Sequence, residues 1–146
     1  MSFNPARPPK KKADMMLKEK LLLKDKPSSA ILAVSDLDRA RRFYADTLGL
    51  EPEGGTEQDV LTYRTGDTKL VVYQSEFAGT NKANAVVWNA GGDFDAIADQ
   101  LREQGVALEE YPELGMEVAN GIHRAGEFKG VWFKDPDGNI LHVANM

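Results

Sequence analysis

The sequence predicts an α+β fold assembled from two copies of a βαβββ unit, shaped to hold a small molecule between them. Three observations predict it. The run Ser29–Val34 followed by Asp36–Tyr44 is echoed by Ala85–Ala90 followed by Asp93–Leu101, at an offset of 56 to 57 residues. Each copy passes from a β-rich run to a stripe with helical period. Each copy also closes on a hairpin with strong turn residues. At 146 residues the chain is long enough for one domain with a substantial core and too short for two ordinary ones.

The elements follow in order. Asp36 and Asp93 stand where a helix N-cap is expected, their carboxylates able to accept from the first unpaired N–H groups. Leu37, Ala40, Tyr44 and Leu48 fall on one stripe and Phe94, Ile97 and Leu101 on another, so each helix can lay an apolar face on a sheet. Gly49 and Gly105 then end the helices. In the first copy Val60–Thr65 and Leu70–Tyr73 flank the turn Thr65-Gly66-Asp67-Thr68. In the second, strands are expected over Val106–Tyr111, Gly130–Lys134 and Ile140–Ala144, the last two joined by Asp135-Pro136-Asp137-Gly138-Asn139. Pro136 presets that turn and Gly138 takes the positive φ it needs.

Composition narrows the class. A chain that is 42% hydrophobic and 28% charged is globular, and no apolar run approaches the roughly 20 residues that cross a bilayer, so a soluble protein with no membrane partner is expected. The absence of cysteine excludes disulfides, thiolate metal sites and a Cys nucleophile, and fits a reducing cytoplasm. Residues 1–27 carry eight basic and three acidic side chains, a net +5, leaving −10 on residues 28–146. Phosphate binding depends on Lys and Arg displacing counterions, so the acidic part is not expected to bind nucleic acid. Pro5, Pro8, Pro9 and Lys10–Lys12 read as a basic, unstructured tail, with a short helix from Met16 to Leu23 as the alternative for its second half. The pair Met15 and Met16 leaves open a natural start at that point. The expected organisation is therefore a tail over 1–27 and one domain over 28–146, with modules of about 28–80 and 81–146.

Several residues together resemble a known family. The step Val34-x-Asp36-Leu37, the helix end Phe43-Tyr44 with Leu48-Gly49, and Trp132-Phe133-Lys134-Asp135-Pro136-Asp137-Gly138-Asn139 are similar to the glyoxalase, bleomycin-resistance and extradiol-dioxygenase group, the vicinal oxygen chelate superfamily. The resemblance covers about residues 28–146. It implies paired βαβββ modules in a cupped mixed sheet with helices outside, a ligand cavity inside, and a homodimer as a plausible assembly.

The resemblance also implies four inward strand positions that, in the family's enzymes, commonly hold a divalent cation through His, Gln or Glu. Register on this chain sets Ser29, Val71, Ala85 and His142 in those places. A hydroxyl, an isopropyl, a methyl and a single imidazole do not supply the oxygen and nitrogen donors that Mg²⁺, Zn²⁺ or Fe²⁺ require. No cofactor is expected, and a divalent metal is the alternative. His123 and Glu117, in the segment Tyr111–Gly126, offer one way to extend the set around His142, while a solvated loop imidazole beside Arg124 is the competing reading.

Strand parity fills in the rest of the cavity. With Ser29 and His142 inward, Ile31, Ala33, Tyr73, Trp132, Ile140 and Ala144 share their face, and Leu141, Val143, Val131 and Phe133 face the helices. Such a pocket suits an apolar or planar ligand held by Ile31, Tyr73, Trp132 and His142, with ordinary core packing as the other reading of Trp132. Trp88 falls on the core side. The leading functional reading is a metal-independent small-molecule-binding protein, whose acidity favours a cationic ligand. The alternative is a glyoxalase-like lyase, isomerase or dioxygenase with an altered or metal-free site, in which His142 does the acid–base work. A third is an accessory module whose basic tail recruits a partner.

Overall fold

The computed structural model describes residues 23–54 and 59–146. The expectations for the start of the chain, an unstructured tail and a helix from Met16, lie outside the described residues. The first module runs β1 (Ala30–Val34), α1 (Leu37–Arg41), β2 (Glu51–Pro52), β3 (Val60–Thr65) and β4 (Thr68–Gln74). Its sheet has the order β1-β4-β3-β2, with β1 parallel to β4 and the other pairs antiparallel. The second runs β5 (Asn84–Asn89), α2 (Phe94–Glu103), β6 (Glu117–Ala119), β7 (Ile122–Ala125), β8 (Phe128–Lys134) and β9 (Ile140–Ala144), in the order β5-β9-β8-β7-β6. The two sheets approach each other at β1 and β5.

Both helices use the faces the sequence assigns. Asp36 caps α1 by accepting the Arg39 N–H at 3.0 Å, and beyond Arg41 the helix widens over Arg42–Thr47, so that the Leu48 N–H reaches the Phe43 carbonyl. Ala40, Tyr44, Phe94, Ala98 and Leu101 are buried against Leu32, Val34, Leu70, Val72, Val131, Phe133, Leu141 and Val143 in one core shared by both modules. Asp93 departs from expectation. Its φ and ψ of −89° and 5° are not those of an extended cap, its carboxylate makes no capping bond, and α2 is entered instead through the short turn Gly91–Asp93.

The second module differs from the sequence reading in one further place. Val106–Tyr111 is not a strand. It follows the outer side of β8 with one backbone link, Glu109 N–H to the Trp132 carbonyl at 2.7 Å. The start of β8 pairs instead with an extra hairpin, β6–β7, whose two-residue turn Asn120-Gly121 has φ of 53° and 81°. Two left-handed residues in succession match the right-handed strand twist of a tight hairpin.

The Asp135–Asn139 turn joins the modules. Gly138 takes its positive φ of 92°. The Asp135 carboxylate accepts from the Asp137 and Asn139 N–H groups, from Asn139 Nδ2, and from the buried Tyr44 hydroxyl of α1 at 2.6 Å. Burial first, and then the Asp135 charge, push the Tyr44 phenol far above its ordinary range, so it stays a donor. Asn139 Nδ2 also donates to the Ala33 carbonyl, and Asp137 binds the Ser35 N–H and hydroxyl and pairs with Arg39. The turn that the sequence marks for its backbone shape is thus also the clasp between the halves.

Candidate functional site

With Leu32, Val34, Leu70, Val72, Val131, Phe133, Leu141 and Val143 turned to the core, strand alternation leaves Ile31, Val71, Tyr73, Val87, Trp132 and His142 on the opposite, open face. His142 is its chemical centre. It is only 7% exposed, it lies across from Val87 on β5 and Trp132 on β8, and its ring stacks on the indole with centroids 4.1 Å apart and planes 14° from parallel. Nδ1 sits 2.9 Å from the Val131 carbonyl. A carbonyl oxygen only accepts, so Nδ1 carries the proton of the neutral ring and Nε2 is left as a lone-pair acceptor.

Burial is the main influence on this imidazole and lowers its pKa from the ordinary 6.5; the bond to Val131 opposes this and the neighbouring His123 adds to it. The unfolded chain therefore takes up a proton at higher pH than the folded chain. Stability from this group is complete above about pH 6.5 and is lost as the pH falls from there through the folded value. An NMR titration of the His142 ring is expected to show a midpoint under 6.5, and a midpoint above it would contradict the burial.

Gly130 makes room for the ring. A Cβ there would stand 2.9 Å from His142 Cε1 and 2.8 Å from Phe128 Cζ. Gly130→Ala is expected to cost about 1–3 kcal/mol through overpacking and to displace His142 from Trp132. A melting shift under 1 °C, with unchanged His142 chemical shifts, is the contrary result.

Trp132 is a wall and not an open platform. It is 8% exposed, with His142 against its face and the rings of His123 and Tyr111 edge-on at 4.8 and 5.8 Å. Its indole N–H donates to Asn84 Oδ1 at 3.2 Å, which puts the Asn84 side chain on this face. The sequence offset pointed to Ala85, but a register shift between Asn84 and Val86 sets Asn84 opposite Ile140, and Ala85 packs against the core. The bulge therefore passes the inward slot on β5 from Ala85 to Asn84. Trp88 packs on the core side, its indole N–H donating to Thr65 Oγ1.

His123 corrects the reading of a solvated loop residue. It is fully buried, its Nε2 accepts the Tyr111 N–H at 2.9 Å, and its Nδ1 lies 3.1 Å from the Gly121 carbonyl. Both nitrogens are thus spent on holding the 111 segment to the β6–β7 hairpin. Glu117 is exposed at the start of β6, opposite Arg124. The pair does not extend a ligand set around His142.

Ile31 and Tyr73 of the first module and Val87 of β5 are 62%, 36% and 49% exposed and form an apolar surface on the His142 face; Val71 is half-buried and Ser29 exposed. Tyr73 makes no ring contact with His142. Of the places expected from the sequence, Val71 and His142 lie on this face, Asn84 stands in for Ala85 with its Oδ1 already occupied by Trp132, and Ser29 lies just before β1. Among the described residues no cluster of three His, Asp or Glu side chains could hold a metal ion. This donor set does not fit the cation of the family's enzymes. A cavity of about 540 Å³ lies elsewhere, on the helix side between the Asp46–Leu50 segment and α2, where Leu48, Trp88, Ile97 and Phe133 line it.

Two sheets of this order, joined at β1 and β5 with one helix per module, define a class, and comparison names it. The sequence profile of the Glyoxalase/Bleomycin resistance protein/Dioxygenase superfamily matches residues 26–143, and the chain belongs to that superfamily. Metapyrocatechase 2 of Cupriavidus necator is 42% identical over 52 residues, which are 36% of this chain and 13% of that protein, so the chain spans a small part of that relative. The crystal structure of UcmS2 matches with a TM-score of 0.65 at 18% identity, covering 83% of this chain and 98% of that one. Lactoylglutathione lyase from Agrobacterium tumefaciens matches with a TM-score of 0.62 at 18% identity, over 82% and 92% of the two chains. At these identities the solved structures speak for the fold. No helix among the described residues is long and apolar enough to cross a membrane.

Proposed function

We propose that the chain is a small-molecule-binding member of the superfamily whose metal site is degenerate, taking an apolar or aromatic ligand on the open face. The observation that carries this is the donor inventory at the four expected slots: Ser29 and Val71 offer a hydroxyl and an isopropyl, Asn84 Oδ1 is held by Trp132, and His142 Nε2 is the one nitrogen among them with a free lone pair. One imidazole does not compete with water for a divalent cation. Ile31, Val87 and Tyr73 supply exposed apolar contact next to that nitrogen, and Trp132 backs it from behind. Nucleic acid and membrane play no part in this reading.

Metal analysis of protein from metal-supplemented cells tests it. The expected result is a substoichiometric content of Mn, Fe, Ni and Zn, unchanged in His142→Ala. A second reading is favoured by the neutral His142 ring with its free Nε2, the form a general base needs: a lyase, isomerase or dioxygenase, in line with the names of metapyrocatechase 2 and lactoylglutathione lyase. One divalent ion per chain, lost together with turnover in His142→Ala, establishes that reading and removes the first.

A further inference from the structure

The polar groups of the open face have a fixed sense. Trp132 Nε1 can only donate, so the Asn84 atom facing it is Oδ1, and Nδ2 with its two N–H bonds points away from the indole. The Val131 carbonyl can only accept, so the proton of the neutral His142 ring is on Nδ1. These assignments come from partners with one role each, where an amide orientation or a tautomer is otherwise a matter of choice. The result is an acceptor, His142 Nε2, and a donor group, Asn84 Nδ2, that no other described residue pairs.

The two groups share one neighbour, Trp132. Asn84 is opposite Ile140, two positions before His142 on β9, in a parallel pair whose register shift after Asn84 keeps its side chain on the His142 face. Both touch the same Trp132 ring, one through its nitrogen and the other through its face. Val87, across from His142, and Ile31 on β1 continue this surface as exposed apolar area.

We propose that this pair recognises an uncharged carboxamide-type group, which donates an N–H to His142 Nε2 and accepts from Asn84 Nδ2, on a ligand whose apolar body lies over Val87 and Ile31. The proposal rests on the ligand-binding reading above and deepens it. A carboxylate of similar shape has no hydrogen to give His142 and presents a charge to its lone pair. A hydrocarbon leaves both polar groups unpaired, which costs more than the bond itself is worth.

Three probes of one size separate the possibilities: benzamide, benzoate and toluene, titrated into ¹⁵N-labelled protein at pH 7.5 and followed by NMR. Free protein is expected to show the Nδ1–H tautomer of His142. Benzamide is expected to shift His142 Nε2, the Asn84 side-chain amide, Val87 and Ile31, and to bind about tenfold tighter than either other probe. Asn84→Ala is expected to remove most of that preference, and Asn84→Asp, which keeps an acceptor for the Trp132 N–H but has no N–H to donate, is expected to remove it as well. Toluene or benzoate binding as tightly as benzamide at Val87 and Ile31 overturns the carboxamide assignment while leaving an open-face site standing. An Nε2–H tautomer in the free protein also overturns it. If no probe shifts Val87 or Ile31, or if only residues of the helix-side cavity such as Ile97 respond, the assignment and the ligand-binding reading fall together.

Discussion

Asp135→Ala is expected to lower stability by about 3–5 kcal/mol, enough to bring the melting temperature down by about 10–20 °C. The carboxylate is 4% exposed and takes hydrogen bonds from the Tyr44 hydroxyl, the Asp137 and Asn139 N–H groups and Asn139 Nδ2. Alanine removes the acceptor and leaves those donors where water cannot replace it, and each buried unpaired donor costs about 1–3 kcal/mol. The effect exceeds that of Tyr44→Phe, which removes one charge-assisted bond worth about 1.5–3 kcal/mol and leaves the carboxylate its three other donors. Because Asp135 belongs to the second module and Tyr44 to the first, the double variant is expected to cost less than the sum of the two single ones. Urea unfolding of the three variants measures this. A loss under 1 kcal/mol for Asp135→Ala would show that the clasp does not bind the modules together.

That clasp marks the boundary of what the amino-acid order made legible. Pro136 and Gly138 announce a turn because their backbone preferences are local, and the helix stripes ending at Leu48 and Leu101 announce core faces because burial follows period. Hydrogen bonds between positions 91 to 106 residues apart, such as Tyr44 to Asp135 and Asn139 to Ala33, leave no local pattern to read. The β6–β7 hairpin did have a signal. Asn120-Gly121 between Val118 and Ile122 is a strong short-range hairpin cue, but Glu117 and Arg124 mask strands of only three and four residues. The bulge in β5 was hidden for another reason. One extra residue changes the face of every position before it, and an offset between repeats carries no trace of it, so the offset sets Ala85 where the bulge sets Asn84. Parity assigned His142 and Trp132 to one face because β8 and β9 pair without interruption. The burial of His123 depends on the backbone of Tyr111 and Gly121, which only the folded chain brings to it.

Trp132→Ala is expected to be the other costly change, at about 3–5 kcal/mol, the usual range for emptying a buried aromatic site. Its consequences should not stop at stability, because the same indole fixes both polar groups of the open face: it stacks on His142 and holds Asn84 Oδ1. Trp132→Phe separates these roles. It keeps a ring against His142 and most of the packing, with an expected loss nearer 1–2 kcal/mol, yet it frees the Asn84 amide to rotate. In Trp132→Phe the His142 tautomer is expected to persist, since the bond from Nδ1 to the Val131 carbonyl is independent of the indole, while the Asn84 side-chain amide signals should collapse toward free-solvent averaging. In Trp132→Ala both should change, because His123 and Tyr111 lose the edge they pack on and the space beside His142 opens to water. Thermal melting with side-chain NMR on the two variants decides the matter. If Trp132→Ala melts within 2 °C of the parent and leaves both signals in place, the indole is not the element that ties the fold of the second module to the chemistry of its open face.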